Sequence, residues 1–499
     1  MVSGTMHKVT VGSYYLIIDQ MINYGIGSVF WFVLAKLVPP ASVGQVLVVM
    51  AASTAVLGFA GYGAQVTISK YIAEYNAKKM SHMSRKVFYL GVQIGLIVSG
   101  SAAVVFFLLS GQLATSLYHD SSLVPLILVA MVIFLPSQTI LVCLYGAFQG
   151  SHMMKYTALV DLVFQVSKII IAILLVLVGL GSFGIMIAMT IASIGSVSVG
   201  FRLAKRLLYI QDNHNVLLKM EDSNLRHVMR FSFFNYLATG MATLGLQIGY
   251  IILGTQSFEY VAFFGISALI SGIVSGITNS VGRAILPTTS EQMQQGTTVN
   301  IAATISSAFR LSIMASGFIY IILIIAPGSV LSLLSNDYKV ASQALIILVI
   351  EEIVASLMAF IRLALNGIGR PEWGAKISMI WAAIVIISML ILVPHYNLVG
   401  AASSVLIGSL VGLMLSLYYG KKGEILSGSY LSILKPILTA SIAIVIGFTS
   451  LFATENIAIS VSLAIASYVL LIKAFKVTTT SEVKELISIG SKVLRSGAK

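Results

Sequence analysis

Fourteen apolar stretches, each about as long as a membrane-spanning helix, constrain this sequence of 499 residues more than any other feature. The hydrocarbon core of a bilayer is about 30 Å thick and is crossed by roughly 20 residues of α-helix. Barrel strands would alternate apolar and polar residues, whereas the run from Ile169 to Val178 is apolar throughout. We therefore predict an all-α polytopic membrane protein with its first stretch retained as an anchor. The predicted spans, numbered in chain order, are 11–36, 42–66, 87–110, 122–148, 156–180, 183–206, 229–253, 258–285, 305–333, 340–366, 373–393, 396–419, 431–453 and 456–476.

The composition excludes two other classes of protein. Hydrophobic residues make up 58% of the chain and charged residues only 9%, against about 25% charged residues in a typical soluble domain. A soluble core of this size could not bury so much apolar surface. A disulfide-stabilised scaffold is excluded because Cys143 is the only cysteine.

The basic residues predict the orientation of the chain. With the N-terminus in the cytoplasm, only Lys36 and Lys339 of the 30 Lys and Arg lie outside, and Lys168 lies within a span. This asymmetry follows the positive-inside rule, so both termini are predicted to be cytoplasmic, in the cell membrane. It also accounts for the net charge of +13 without a nucleic-acid partner, because no loop is long enough for a soluble basic module.

Short matching segments indicate an internal duplication. Three pairs recur at offsets of 216 to 218 residues, which correspond to six spans. An even number of spans gives a parallel repeat, with two six-helix bundles related by an axis along the membrane normal and a substrate cavity between them. The pairs are Gly146–Gly150 with Leu363–Gly367, Phe183–Ile185 with Val399–Ala401, and Val43-Gly44 with Val261-Ala262.

The duplication and the longest polar loop predict the domain limits. The tail carries apolar residues on one helical face and basic residues beside them, as an amphipathic helix on the inner leaflet would; the alternative is a frayed polar tail. The predicted segments are an N-terminal bundle (1–208), a cytoplasmic linker (209–228), a C-terminal bundle (229–420), spans thirteen and fourteen (431–476) and the tail (477–499).

Polar edges run along spans one, two, seven and eight. On span eight, polar residues recur every fourth position and end in an arginine at the cytoplasmic side, which places them on one helix face. Polar atoms in a bilayer face protein or a water-filled cavity, so these edges predict a substrate cavity. The alternative, strongest for the serines, is that small residues let helices pack closely. The predicted cavity residues are Asp19, Asn23, Gln65, Asn235, Thr239, Thr243, Gln247, Ser271, Ser275, Asn279 and Arg283.

Charged residues within the spans are candidates for coupling transport to H⁺ or Na⁺. Glu351 and Glu352 lie near mid-depth in span ten, where burial disfavours the charged form of a carboxylate. The alternative is that Asp161 with Lys168, and Glu351 with Arg362, are neutralised by their neighbours and hold the helices together. The ion-coupling candidates are Asp19, Asp161, Lys168, Glu351, Glu352 and Arg362.

Several motifs of catalysis and cofactor binding are missing from the sequence. There is no G-x-x-x-x-G-K-[ST] loop, no H-E-x-x-H pair and no Cys/His cluster with metal-ligand spacing. The seven histidines are scattered, mostly in loops. We therefore expect no cofactor, no metal site and no ATP-driven or other enzymatic activity in this chain.

Several sequence segments resemble those of the multidrug/oligosaccharidyl-lipid/polysaccharide (MOP) exporter superfamily, in its polysaccharide flippase branch. Leu34–Gly44 (LAKLVPPASVG) resembles the family's turn after the first helix, and Phe59–Glu74 (FAGYGAQVTISKYIAE) the end of its second. Ile285–Ser290 (ILPTTS) resembles the Pro-containing end of its eighth helix. The Gln149-Gly150 and Asn366-Gly367 turns are also similar.

The resemblance implies a V-shaped pair of six-helix bundles that alternates between inward-open and outward-open states as a monomer. Its implied substrate is a polyprenyl-phosphate-linked oligosaccharide or polysaccharide precursor, flipped from the cytoplasmic to the outer leaflet. Arg283, at the cytoplasmic mouth, is the residue expected to meet the phosphate, because a guanidinium binds phosphate through two parallel hydrogen bonds.

The sequence departs from the flippase pattern at two positions, which keeps alternatives open. Relatives often carry a basic residue where this chain has Gln65, and Asp19 resembles a carboxylate in the first helix of some multidrug members. A cation-coupled multidrug exporter is therefore the alternative function. A membrane-embedded glycan polymerase or ligase is a weaker one, because the outer loops offer only His119, Asp120 and Asp337 as candidate catalytic groups.

Overall fold

The computed structural model of this chain is helical throughout the part that it describes. That part comprises residues 22–207, 222–282, 298–426 and 430–475, together with the positions Ile285 and Thr289. Within these residues there is no β-strand, so the prediction of an all-α fold is confirmed. The predicted amphipathic tail and most of the predicted linker lie outside the described residues.

Two helices begin at residues that suit a helix N-terminus. Pro40 opens α2 directly after the extended Pro39 (φ −56°, ψ 148°), a position where proline's missing N–H costs nothing. The Asn456 side chain accepts from the backbone N–H groups of Ala458 and Ile459 at the start of α16. The α-helices are α1 Gly27–Leu37, α2 Pro40–Leu57, α3 Gly63–Ala77, α4 Ser81–Gln112, α5 Leu123–Leu128, α6 Leu135–Gly150, α7 Met154–Leu177, α8 Gly181–Leu207, α9 Asp222–Gly254, α10 Phe258–Gly282, α11 Thr298–Ile325, α12 Pro327–Ser332, α13 Ser342–Gly367, α14 Pro371–Lys422, α15 Tyr430–Thr454 and α16 Ile457–Ala474, with π-helical segments at Ile22–Ile26, Gly58–Tyr62, Leu113–Leu117 and Val129–Phe134 and a 3-10 helix at Asn336–Ala341.

The chain is a multi-pass membrane protein. Eleven helical segments of the described residues are long and apolar enough to cross a bilayer, and Gly27–Leu37 and Thr239–Gly254 are shorter apolar helices. The longest segment, α14, has 52 residues and contains a break: Pro394 removes a backbone donor, and Asn397 adopts φ 46° and ψ −121°. The break falls between the predicted spans 373–393 and 396–419. The total of fourteen spans stays a prediction.

The chain divides into two compact units. Of the described residues, the first unit takes those up to Ile270, Leu334–Ala344 and Ala375–Gly408. The second takes Ser271–Leu333, Leu345–Gly374 and those from Ser409 onward. These limits differ from those of the two predicted six-helix bundles, and the bundle division stays a prediction.

Within the first unit, α9 and the first residue of α10 pack closely against α2, the Gly58–Tyr62 segment and α3, a contact that we call the glycine seam. A Cβ atom added to Gly58 would lie 2.7 Å from Thr243 Cβ, and one added to Gly63 would lie 2.6 Å from Tyr236 Cα. Near the start of α2, a Cβ on Gly44 would overlap the carbonyl oxygen of Phe258, the first residue of α10. Because Gly44 and Gly63 are about 28 Å apart along the helix, the close contacts extend over most of a bilayer's thickness.

The second unit joins the last two helices to α11. The hydroxyl of Tyr468 on α16 donates to the carbonyl oxygen of Ile313 at 3.0 Å, and a Cβ on Gly317 would overlap the Tyr468 ring. Ile321 and Ile325 of α11 pack with Ala443 and Ala464 in the same buried cluster. Small residues thus bring these helices close, as in other membrane bundles.

Substitution of Gly44 by Ala tests the seam. The new methyl group would meet backbone and not a flexible side chain, so the helices must move apart, at a cost of roughly 1–3 kcal/mol. Thermal unfolding of purified protein in detergent should show a Tm several degrees below wild type.

Gly100→Ala on α4 is the matched control, since no atom lies within 4 Å of a Cβ at that position. Alanine there should leave the Tm unchanged or raise it slightly, because it restricts the unfolded chain. Equal Tm values for the two variants would contradict the tight contact at Gly44.

Candidate functional site

Two polar networks lie among the membrane-spanning helices, one in each compact unit. The first is centred on Asp161 of α7, which is only 7% exposed. Its Oδ2 accepts from Asn23 Nδ2 at 2.9 Å, and its Oδ1 accepts a short hydrogen bond from the Tyr145 hydroxyl. Gln165, one turn further along α7, donates from Nε2 to Asn23 Oδ1 at 2.7 Å. We call these four residues and Lys168 the Asp161 network.

Lys168 lies on the same face of α7 and is buried. Its ammonium lies over two aromatic rings, 4.6 Å from the centroid of Phe30 and 5.2 Å from that of Phe164. Two helical turns, about 10 Å of axial rise, separate it from Asp161. Within the described residues no carboxylate lies within 4 Å of it, but the two charges act on each other electrostatically. Aromatic faces and a carboxylate of opposite charge together stabilise this buried cation.

The second network is centred on Glu351 and Glu352 of α13. The Ser409 hydroxyl, from α14, donates to Glu351 Oε1 at 2.5 Å. The Ser275 hydroxyl, from α10, donates a short hydrogen bond to Glu352 Oε2. Glu351 is buried and Glu352 half-buried. Two neutral donors from different helices thus contact two adjacent carboxylates.

Tyr320 of α11 completes this second group, the Glu351–Glu352 network. Its side chain is 1% exposed, and both carboxylates act electrostatically on its hydroxyl. The hydroxyl has no hydrogen-bond partner among the described residues. Ser316 lies beside it but donates its own proton to the Ser312 carbonyl oxygen at 2.5 Å.

Arg362 does not neutralise Glu351. The two residues are on one face of α13 but about 16 Å apart along its axis, and no ion pair joins them among the described residues. Arg362 lies instead beside the start of α14, where a Cβ on Gly374 would be 3.1 Å from Arg362 Cγ.

Two of the predicted cavity residues lie in the glycine seam. Thr239 Oγ1 donates to the carbonyl oxygen of Gly58 at 3.4 Å, and Thr243 Oγ1 donates to the carbonyl of Thr239 at 2.7 Å. These contacts bring the polar edges of spans seven and two together. Gln65 and Gln247 are half-buried in the same unit.

The other predicted cavity residues fall into three groups. Asn23 belongs to the Asp161 network and Ser275 to the Glu351–Glu352 network. Ser271 is 2% exposed, in agreement with the alternative of close helix packing. Asp19 and Arg283, and the side chains of Asn235 and Asn279, lie outside the described residues, so convergence on one cavity stays a prediction.

The sequence interpretation missed Tyr145, Ser409 and Tyr320. None of the three lies on the polar edges predicted for spans one, two, seven and eight. Tyr145 and Ser409 are identified only by the carboxylates that they contact, 16 and 58 positions away in the sequence. Tyr320 is identified only by its electrostatic interaction with Glu351 and Glu352. The sequence signal that marks such residues is a hydroxyl at the same membrane depth as a buried carboxylate on another span.

Comparisons with known proteins agree with the resemblance seen in the sequence. The profile of the family described as "Polysaccharide biosynthesis protein" matches residues 9–294. Stage V sporulation protein B of Bacillus subtilis (strain 168) is 23% identical and aligns with 97% of this chain and 98% of its own length. An uncharacterized membrane protein of Methanocaldococcus jannaschii is 22% identical over 81% of this chain and 96% of its own length.

Solved structures support the same fold. An inward closed conformation of the lipid II flippase MurJ superimposes with a TM-score of 0.73, covering 93% of this chain and 98% of its own, at 13% identity. An inward-facing multidrug resistance MATE transporter of the MOP superfamily gives 0.65, covering 81% and 94%, at 16% identity.

The Asp161 network predicts a large effect of Asp161→Leu. This substitution leaves Asn23 and Tyr145 without their acceptor and Lys168 without its counter-charge. A loss of about 3 kcal/mol or more in unfolding free energy is expected. Thermal unfolding in detergent measures it.

Glu372→Gln is the control, since Glu372 is half exposed and 3.6 Å from Arg370. An exposed pair of this kind contributes less than about 1 kcal/mol. If Asp161→Leu were as stable as Glu372→Gln, the Asp161 network would have no structural role.

Proposed function

This chain belongs to the polysaccharide biosynthesis protein family, and from this membership we propose that it transports a lipid-linked glycan precursor across the membrane. The proposed cargo is an oligosaccharide or polysaccharide unit on a polyprenyl phosphate. It is picked up at the cytoplasmic leaflet and released at the outer leaflet of the plasma membrane. The family match, which covers more than half of the chain, is the observation that carries this proposal.

The polarity of such a cargo is compatible with the polar side chains found within the apolar helices of this chain. A charged sugar headgroup cannot cross hydrocarbon unaided, because polar groups without partners cost several kcal/mol each there. A protein that carries it must place polar side chains at membrane depth while lipid-facing surfaces stay apolar. The two polar networks and the threonines of the glycine seam lie within otherwise apolar helices.

The proposed route is alternating access between two six-helix bundles, with both termini in the cytoplasm and the protein acting as a monomer. The glycan headgroup crosses between the bundles, lined by the predicted cavity residues, while the polyprenyl tail remains in the bilayer. Arg283 binds the phosphate at the cytoplasmic mouth. No bond of the cargo is made or broken, so the chain acts as a transporter and not as an enzyme.

A second candidate is a cation-coupled exporter of amphipathic cations. It is favoured by the MATE transporter that shares this fold and by Asp19, an acidic residue in the first predicted span. An acidic cavity would attract a cationic drug and repel a pyrophosphate. The two candidates therefore differ in the charge of the cargo.

Arg283→Ala tests the flippase proposal in proteoliposomes. The cargo is a fluorescent polyprenyl-pyrophosphate-linked sugar, and its arrival in the opposite leaflet is followed with a membrane-impermeant quencher. Loss of a charge-assisted contact of about 1.5–3 kcal/mol corresponds to a transport rate roughly 10- to 150-fold lower.

Lys339→Ala, on the outer side, is the matched control and should flip at the wild-type rate. Flipping by the wild type no faster than in empty liposomes would refute the proposed function. Equal rates for Arg283→Ala and Lys339→Ala would refute only the role of Arg283.

Asp19→Asn separates the two candidate functions. If the chain were a multidrug exporter, this neutral variant would lose efflux of a lipophilic dye cation from cells, because the counter-charge for the cation is removed. The flippase proposal expects dye efflux to be the same with wild type, with Asp19→Asn and without the protein. Cells lacking the protein should then be depleted in surface glycan, measured by lectin binding.

A further inference from the structure

Glu351 and Glu352 place two acidic groups side by side within a membrane-spanning helix. They are consecutive residues of α13, nine and ten positions after its first residue, Ser342. Glu351 is 9% exposed, and each carboxylate is held by a serine of another helix. Both side chains are thus fixed inside the protein rather than extended to a membrane surface.

The hydrogen bonds of these carboxylates do not neutralise them. Ser409 and Ser275 are neutral donors, and each contacts one carboxylate oxygen. A buried charge needs a counter-charge as well as hydrogen bonds, and two adjacent carboxylates oppose each other's ionisation. With both groups ionised, two negative charges would share one small region of low polarity.

No cation lies close enough to supply the counter-charge within the described part of the chain. Arg362 is about 15 Å along α13 from Glu352. On α11, Arg310 donates to Ser307 at 2.9 Å and is about 15 Å along the helix from Tyr320. On α14, Lys421 and Lys422 lie about 18 Å beyond Ser409.

Among the described residues, the buried tyrosine Tyr320 of α11 interacts electrostatically with both carboxylates and with Tyr468 of α16. α10 has no charged side chain after Glu259 among its described residues. Tyr468 donates its proton to the Ile313 carbonyl. Tyr320 alone is fully buried, lies within electrostatic range of both carboxylates and lacks a hydrogen-bond partner among the described residues.

Comparison with the Asp161 network shows that Glu351 and Glu352 lack a nearby positive charge among the described residues. Asp161 has Lys168 on its own helix face as a counter-charge, whereas Glu351 and Glu352 have only hydroxyls. Of the species that supply a positive charge in so small a space, a proton requires no coordination shell.

We propose that Glu351 and Glu352, with Ser275 and Ser409 as hydrogen-bond donors and Tyr320 beside them, form a proton-binding site in which one of the two carboxylates carries a proton. We further propose that release and uptake of this proton drive the empty transporter back to its cargo-accepting state; this second step rests on the proposed function. The proton-binding site itself does not depend on what the protein transports.

Labelling with N,N′-dicyclohexylcarbodiimide tests proton binding without any transport assay. This apolar reagent adds to a protonated carboxyl: the acid proton moves to a carbodiimide nitrogen, the carboxylate oxygen bonds to the central carbon, and rearrangement gives a stable N-acylurea with no leaving group. Full-length wild-type protein in liposomes is treated over a range of pH. Peptides containing Glu351, Glu352 and Asp161 are then quantified by mass spectrometry.

The expected result is labelling at Glu351 or Glu352 that falls by up to tenfold per pH unit above a midpoint, and no labelling of Asp161, the internal control carboxylate. Addition of Na⁺ at fixed pH should leave the labelling unchanged. Absence of labelling at both glutamates at every pH would overturn the proposal. Protection by Na⁺ would also overturn it, because the site would then bind the metal ion.

Variants separate the site from the transport cycle. Glu351→Gln and Glu352→Gln conserve side-chain shape, and the double variant should lose all labelling in this peptide. In flipping assays a pH gradient should accelerate the wild type at least tenfold and leave the double variant unaffected. A wild-type flipping rate that does not change with the pH gradient would refute the proposed coupling but not the proposed function. If labelling depends on pH but no flipping is observed, the proposed function is refuted by experiment while the proton-binding site is supported.

Discussion

The structure depends on one constraint: a polar or charged group at membrane depth must find its partner inside the protein. Asp161 is the clearest case. Three helical segments supply its surroundings, with Asn23 from the segment before α1, Tyr145 from α6 and Gln165 from α7. A soluble protein could leave some of these groups to water. Here their contacts join parts of the chain that are more than 100 residues apart.

The two polar networks satisfy this constraint differently. The Asp161 network contains both signs of charge, since Lys168 lies on the same face of α7 over two aromatic rings. Such a network contains its own counter-charge, and we expect it to serve as a fixed part of the structure. The Glu351–Glu352 network has only neutral donors among the described residues, and the charge of such a site is sensitive to its environment. This difference underlies the proposal that one network is structural and the other exchanges a proton.

The glycine seam has a different physical basis. Its glycines lie against backbone atoms, as at Gly44 with Phe258, or closely against side chains, as at Gly58 with Thr243. A threonine supplies a hydrogen bond across it. Close packing of this kind is stabilised by many small dispersion contacts rather than by a few strong bonds. In the proposed cycle, two surfaces of this type can separate and rejoin without leaving buried charges exposed to lipid.

The fold class was largely predictable, and the partners in the site were not. Span length and apolar composition predict helices, and Pro394 with Asn397 accounts for the break within α14. The sequence also singled out Asp161, Lys168, Glu351 and Glu352, because a charge in an apolar run is visible by itself. It could not identify Ser409 or Tyr320, since one hydroxyl among apolar residues resembles any other. It also allowed Arg362 to neutralise Glu351, where the helix places them far apart.

The sequence by itself determined that this chain is an all-helical membrane protein with charges buried in its spans, because hydrophobicity is local and additive along the chain. Only the tertiary structure decided which of those charges are compensated. Whether a charge is compensated depends on distances between helices, because a change of a few ångströms turns an ion pair into an isolated carboxylate. The periodicity within one helix does not specify those distances.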